Sequence, residues 1–158
     1  MPTPQFVTDL RASIGQQPLP LPSVTAVVFD AAGRVLLVQR ADNNRWALVT
    51  GCLEPGEQPA AGAVREVEEE TGVLVVPERI IGVSALPLAV CPNGDQVYWF
   101  DVTFGCRAVG GEARVNDEES VDVRWYELGE LPSGLPDRHR QCLQDALSPD
   151  PEARFQLS

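Results

Sequence analysis

Glu66, Glu69 and Glu70 stand at i, i+3 and i+4 in the segment GCLEPGEQPAAGAVREVEEETGV, residues 51–73. On a helix that spacing places three carboxylates on one side within two turns. Like charges so close repel, and acids at the C-terminal end of a helix oppose its dipole by about 0.3–1 kcal/mol each. A bound cation would offset both costs. Carboxylate oxygens are hard ligands that suit Mg²⁺, Mn²⁺ or Ca²⁺ better than zinc. The plainer alternative is a solvated acidic face, which most charge runs are.

The elements that must position these acids are written around them. Gly51 and Gly56 permit a tight loop, Pro55 stiffens it, and Pro59 enters the helix where its missing N–H costs nothing. Ala60, Ala63, Val64 and Val67 recur at helical spacing, giving a small-residue stripe that can lie close against a sheet. Gly72 suits the left-handed position that ends a helix. This arrangement predicts an acidic face directed away from the core.

Gly51, Glu57, Arg65, Glu66, Glu69, Glu70 and Gly72, with aliphatic Val67 and Val73, stand at the spacing of the Nudix box. The chain therefore resembles the Nudix hydrolases, through the box itself and through an element order running from about Val24 to Leu131. The resemblance implies an α/β fold, the Nudix-type α/β/α sandwich with a mixed β-sheet. It implies Mg²⁺-dependent cleavage, with Mn²⁺ as a substitute, of the diphosphate bond of a nucleoside diphosphate linked to another moiety. ADP-ribose-like and (d)NTP-like small nucleotides are the first expectations. Metal-ligand roles fall to Glu66, Glu69 and Glu70. Arg65 would orient Glu57 and a ligand, and Glu57 is either a loop-to-helix ion pair or the acceptor of the attacking water's proton. In the last loop, Glu118 and Glu119 match the acid that supplies another metal contact or the general base, with Glu118 favoured. Val49-Thr50 stands where many members have Pro-Gly, a departure that bears on base recognition. The rival reading is a non-catalytic nucleotide-sensing Nudix-like protein. Such regulators commonly lose motif acids, and here none is missing.

The 158 residues suffice for one domain with a sizeable core. Twelve basic residues, all Arg, face 23 acidic ones, for a formal net charge of −11. That balance repels a polyanion and argues against long nucleic acid as a partner. A small nucleotide remains acceptable because its metal supplies the positive charge. Cys52, Cys91, Cys106 and Cys142 form no C-x-x-C pair, and His139, the single His, has no zinc-like spacing to them. Scattered thiols without a leader-like N-terminus or a long apolar run predict a reduced, cytoplasmic protein with no membrane association.

Three segments are expected: residues 1–22 as an N-terminal helix and proline-rich connector, 23–148 as the Nudix hydrolase domain, and 149–158 as a loosely held tail. Phe6, Leu10 and Ile14 form a stripe on the first helix that could dock on the same chain or on a second copy, and a homodimer through it is the favoured expectation. Val24–Phe29 and Val35–Arg40 predict a strand hairpin, with Arg40 near its end as a phosphate contact or an ion pair. Val73–Val76, Ile80–Leu86 and Val121–Tyr126 read as strands, and Pro136–Leu147 as a terminal helix. Tyr98, Phe100, Val102 and Phe104 alternate with Trp99, Asp101 and Thr103, which predicts that the first set is core. Trp99 and Trp46 are candidate base-stacking residues, although packing is the commoner use of Trp.

Overall fold

The computed structural model of the chain describes residues 3–157; Met1, Pro2 and Ser158, which the segments 1–22 and 149–158 include, lie outside the described residues. Its centre is β1 (Leu19–Phe29), in which every side chain from Ser23 to Val28 is buried. Such a continuous run marks a strand covered on both faces. β1 pairs in parallel with β7 (Gln96–Gly111) along its whole length, from Leu19 opposite Val97 to Phe29 opposite Arg107. It meets β2 (Val35–Arg40) only at Phe29 opposite Val35, and beyond that point β4 (Val49–Cys52) takes the freed edge. β2 turns away to pair with β3 (Trp46–Ala47) and β8 (Ser120–Tyr126), while β5 (Val73–Ala85) and β6 (Ala89–Val90) line β7.

Helix α2 (Pro59–Thr71) covers one face, packing Ala63 and Val67 on Val24, Ala26, Val28 and Phe104. Helix α3 (Asp137–Leu147) covers the other, with Leu143 and Cys142 against Val27, Leu37 and Ile81. The result is an α/β/α sandwich on a mixed sheet. Full burial of a side chain such as Val67 or Leu143 contributes about 1.5–3 kcal/mol, so the two helices are held mainly by these inward stripes. Among the described residues no helix is long and apolar enough to cross a membrane.

Several expectations are corrected. The prolines at 20 and 22 do not make a free connector: β1 begins at Leu19 and runs through both, because Leu21 between them is buried and β7 pairs alongside. Helix α1 (Gln5–Ile14) docks on its own chain, the other of the two placements open to it, through Val7, which packs with Leu21, Cys52 and Val97; Leu10 of the stripe stays exposed, and this docking does not bear on the homodimer. On α2, Ala60 is exposed and Glu66 and Glu70 take the buried flank instead. On β7, Tyr98 and Phe100 are exposed while their neighbours Val97 and Asp101 are buried, so the two faces of this stretch are reversed from the expectation, and Asp101 and Thr103 are buried on the face that α3 covers. Asp101 tolerates this because Ser23, Thr25 and Thr103 hydroxyls donate to it and Arg138 of α3 pairs with it at 2.5 Å. The tail is not loose either. Arg154 donates its N–H to Ile81 O and accepts from Val83 N–H, extending the edge of β5 at Gly82.

Candidate active site

Helix α2 starts at an extended Gln58 and stops at Gly72, whose φ of 71° is left-handed and whose N–H donates to Glu68 O. Between these ends its inward rotation is set by Ala63 and Val67, and that rotation carries Glu66 and Glu70 inward as well. Glu66 is 1 % exposed and Glu70 5 %, so the acidic face does not point away from the core as the spacing suggested. Glu69, one step round the helix, stays half-exposed.

Gly51 makes room for this. A Cβ there would lie 1.9 Å from Glu66 Cδ, so the requirement at position 51 is close approach of the Glu66 carboxylate. The loop's tight turn is made by Gly56, with φ of 81°.

Arg65 organises the acids. Its Nε and Nη2 donate to the two oxygens of Glu57 at 2.8 and 2.9 Å, and its Nη1 donates to Glu66 Oε1 at 2.8 Å and Glu69 Oε2 at 3.0 Å. A fifth hydrogen bond, Nη2 to Cys52 O, ties the guanidinium to β4. Glu57 also accepts the Glu54 N–H, and the hydrogen bonds from Arg65 hold its carboxyl below the usual range. Glu66 Oε2, by contrast, is buried and receives no hydrogen bond from the described residues. Burial pushes the Glu66 carboxyl up to about 7 despite Arg65. Burial, the neighbouring Glu66 charge and Asp117 push Glu70 up to about 8.

Three carboxylates, Glu57, Glu66 and Glu69, thus share one guanidinium, while the arginine whose charge acts on Glu70 is Arg40. Arg40 is itself paired with Asp42 by bonds of 2.8 and 3.0 Å, the strand-end ion pair of the two alternatives. An all-oxygen donor set with a buried, hydrogen-bond-free carboxylate oxygen fits a hard divalent cation such as Mg²⁺ or Mn²⁺. Among the described residues no three such side chains converge as a ready-made metal cluster, and Arg65 bridges Glu66 and Glu69.

Of the loop acids, Glu118 is exposed and Glu119 half-buried. Asp117, passed over in the sequence, is the one whose charge acts on Glu70. The run Asn116-Asp117-Glu118-Glu119 carried the signal, but which acid turns inward depends on how the loop is anchored. Trp46 is committed to packing, edge-on to Tyr126 at 5.1 Å with Arg124 over its ring, and Trp99 packs beside Leu21 and Val97. Burial pushes the Cys52 thiol up to about 11, leaving it a small hydrophobe rather than a nucleophile. His139 accepts the Leu48 N–H on Nδ1, and burial lowers it to about 4, so it is neutral and structural.

Comparison with known proteins agrees with this geometry. The NUDIX domain profile matches residues 19–146. A MutT-like protein of Streptomyces ambofaciens is 35 % identical over 130 residues, covering 82 % of this chain and 79 % of that protein. A putative 8-oxo-dGTP diphosphatase of Bacillus subtilis is 34 % identical over 116 residues, covering 73 % and 72 %. An ADP-ribose pyrophosphatase structure from Streptococcus suis superposes with a TM-score of 0.65 at 26 % identity, covering 87 % of this chain and all of that one. With its box complete, its acids gathered beside Gly51 and this profile match, the chain belongs to the Nudix family of pyrophosphohydrolases.

Proposed function

We propose that the chain hydrolyses the diphosphate bond of a small nucleoside diphosphate derivative, with ADP-ribose-like and (d)NTP-like compounds as the substrate class. The observation that carries this is the buried pair Glu66 and Glu70, with no Arg ion-paired to Glu70 and Glu66 Oε2 receiving no hydrogen bond among the described residues. The names of its relatives support both halves of the substrate class, 8-oxo-dGTP for one and ADP-ribose for another.

Glu66, Glu69 and Glu70 would hold Mg²⁺, or Mn²⁺ in its place. When bound, such a cation offsets charge developing on the diphosphate and lowers the pKa of the attacking water. Arg65 fixes Glu57 against the helix and keeps Glu69 at the rim. Because Glu57 is bound through both oxygens and held below its usual range, it is a weak base, which leaves the role of proton acceptor to the loop acids, the exposed Glu118 or the half-buried Glu119. Water adds across one P–O bond, giving a nucleoside monophosphate and the phosphorylated remainder, or pyrophosphate from a triphosphate.

The test is a panel of dinucleotides, sugar nucleotides and (d)NTPs with Mg²⁺, read by phosphate release through a coupled phosphatase. Glu70→Gln is expected to lower kcat by about 100-fold or more, one of Glu118→Gln and Glu119→Gln to remove the lower limb of the pH–rate profile, and Glu57→Gln to spare that limb. Full turnover by Glu70→Gln would discard the metal assignment, and no turnover of any panel member would favour the sensor.

A further inference from the structure

We propose that Asn116 is a positioning residue: it clamps the loop before β8 onto the last turn of α2 and so holds Asp117 beside Glu70. The last carbonyls of a helix have no donors within it. In α2 they are met by this loop. Asn116 N–H donates to Glu70 O at 3.2 Å, Arg114 N–H donates to Thr71 O at 3.0 Å, and Asn116 Nδ2 adds a bond of 3.0 Å to Glu68 O. The far end of the loop is fastened separately. Glu119 O accepts the Ala41 N–H at 2.7 Å, and Glu119 N–H donates to Asp117 Oδ1 at 3.0 Å.

Asp117 therefore sits between two anchors, one on the metal helix and one at the end of β2. It is half-buried, as is Glu119 at the second anchor, while Asn116 and Glu118 on either side of it are exposed. The Asn side chain is specific to the task, since it offers an N–H donor on a short stem where Asp would present an oxygen to the helix carbonyl. Its side chain also borders the depression lined by Arg65, Glu68 and Glu69, so the clamp and the rim of the site are one surface.

The inference rests on Glu70 being a metal ligand, and the experiment separates the two. Mn²⁺ alone is titrated into the full chain and its free signal followed by electron paramagnetic resonance. Asn116→Ala, and the milder Asn116→Ser, are expected to weaken Mn²⁺ binding about tenfold, the usual cost of losing an outer support of a metal ligand. Asp117→Asn is expected to weaken it comparably, and the double variant no further than either single one. Melting temperatures should move by only a few degrees, as Asn116 is exposed. Unchanged Mn²⁺ affinity in Glu70→Gln overturns the metal reading itself. Weaker binding in Glu70→Gln with unchanged binding in both Asn116 variants overturns the clamp alone. Fully additive losses in the double variant also overturn it, because Asn116 would then not act through Asp117.

Discussion

Gly51 lacks a side chain because Glu66 occupies the space a Cβ would need. Gly51→Ala therefore forces the Glu66 carboxylate from its place. Overpacking of this kind costs about 1–3 kcal/mol, while a displaced ligand costs about tenfold or more in metal affinity. The expected outcome is a raised Mg²⁺ requirement with a melting temperature lowered by several degrees; an unchanged Mg²⁺ requirement would show that Glu66 is not a ligand. The i, i+3, i+4 acids and their company of Gly51, Glu57 and Arg65 were legible in the sequence because motif spacing encodes them directly. The burial of Glu66 and Glu70 was not, since it depends on the rotation that Ala63 and Val67 impose on α2. Asp117 was hidden for a similar reason: four acidic or amide residues in a row carry no mark of which one a loop turns inward.

The strands and helices were legible wherever apolar residues repeat, as in β1, α2 and α3. Strand β7 defeated the alternation because coverage by a helix is a tertiary fact. Its exposed Phe100 and buried Asp101 exchange the roles that pattern alone assigns. The tail was misread because its hold on β5 is through backbone at Gly82, where side chains carry no signal. The Asp101–Arg138 pair joins β7 to α3, and it gives a prediction at this scale. Asp101 is 2 % exposed, so Arg138→Met leaves a buried, unpaired carboxylate and should destabilise the fold by about 3–5 kcal/mol in urea unfolding. Adding Asp101→Asn removes the charge while keeping acceptors for the Ser23, Thr25 and Thr103 hydroxyls, and should recover a large part of that loss. Equal losses in the single and double variants would mean that the ion pair contributes only packing.

For the whole molecule, stability and metal binding are linked through pH. Glu66 and Glu70 are raised from 4.5 to about 7 and about 8. The folded, metal-free chain therefore holds protons on them that the unfolded chain has lost. Their contribution to stability is complete below about pH 4.5 and is lost as pH rises through 7 to 8. His139 works in the opposite direction. Lowered from 6.5 to about 4, it resists protonation in the folded state and costs stability as pH falls from 6.5 to 4. From pH 6.5 the remaining protonation of His139 in the unfolded chain only partly offsets the two carboxyls, and above about pH 7.5 they act almost alone among these three groups. One proton of difference is worth about 1.4 kcal/mol per pH unit, or about 3–5 °C in a chain of this size. Calorimetry without metal should thus show Tm falling as pH rises from 6.5 to 8, and Glu70→Gln should flatten that fall. Saturating Mg²⁺ should reverse the trend, because a cation takes the deprotonated carboxylates and its binding releases the protons that stabilised the metal-free state. With 23 acidic residues against 12 basic ones, general charge repulsion also grows with pH, but added monovalent salt screens it. A fall in Tm that 0.5 M NaCl abolishes and Mg²⁺ does not reverse would assign the pH dependence to the surface and remove Glu66 and Glu70 from the account.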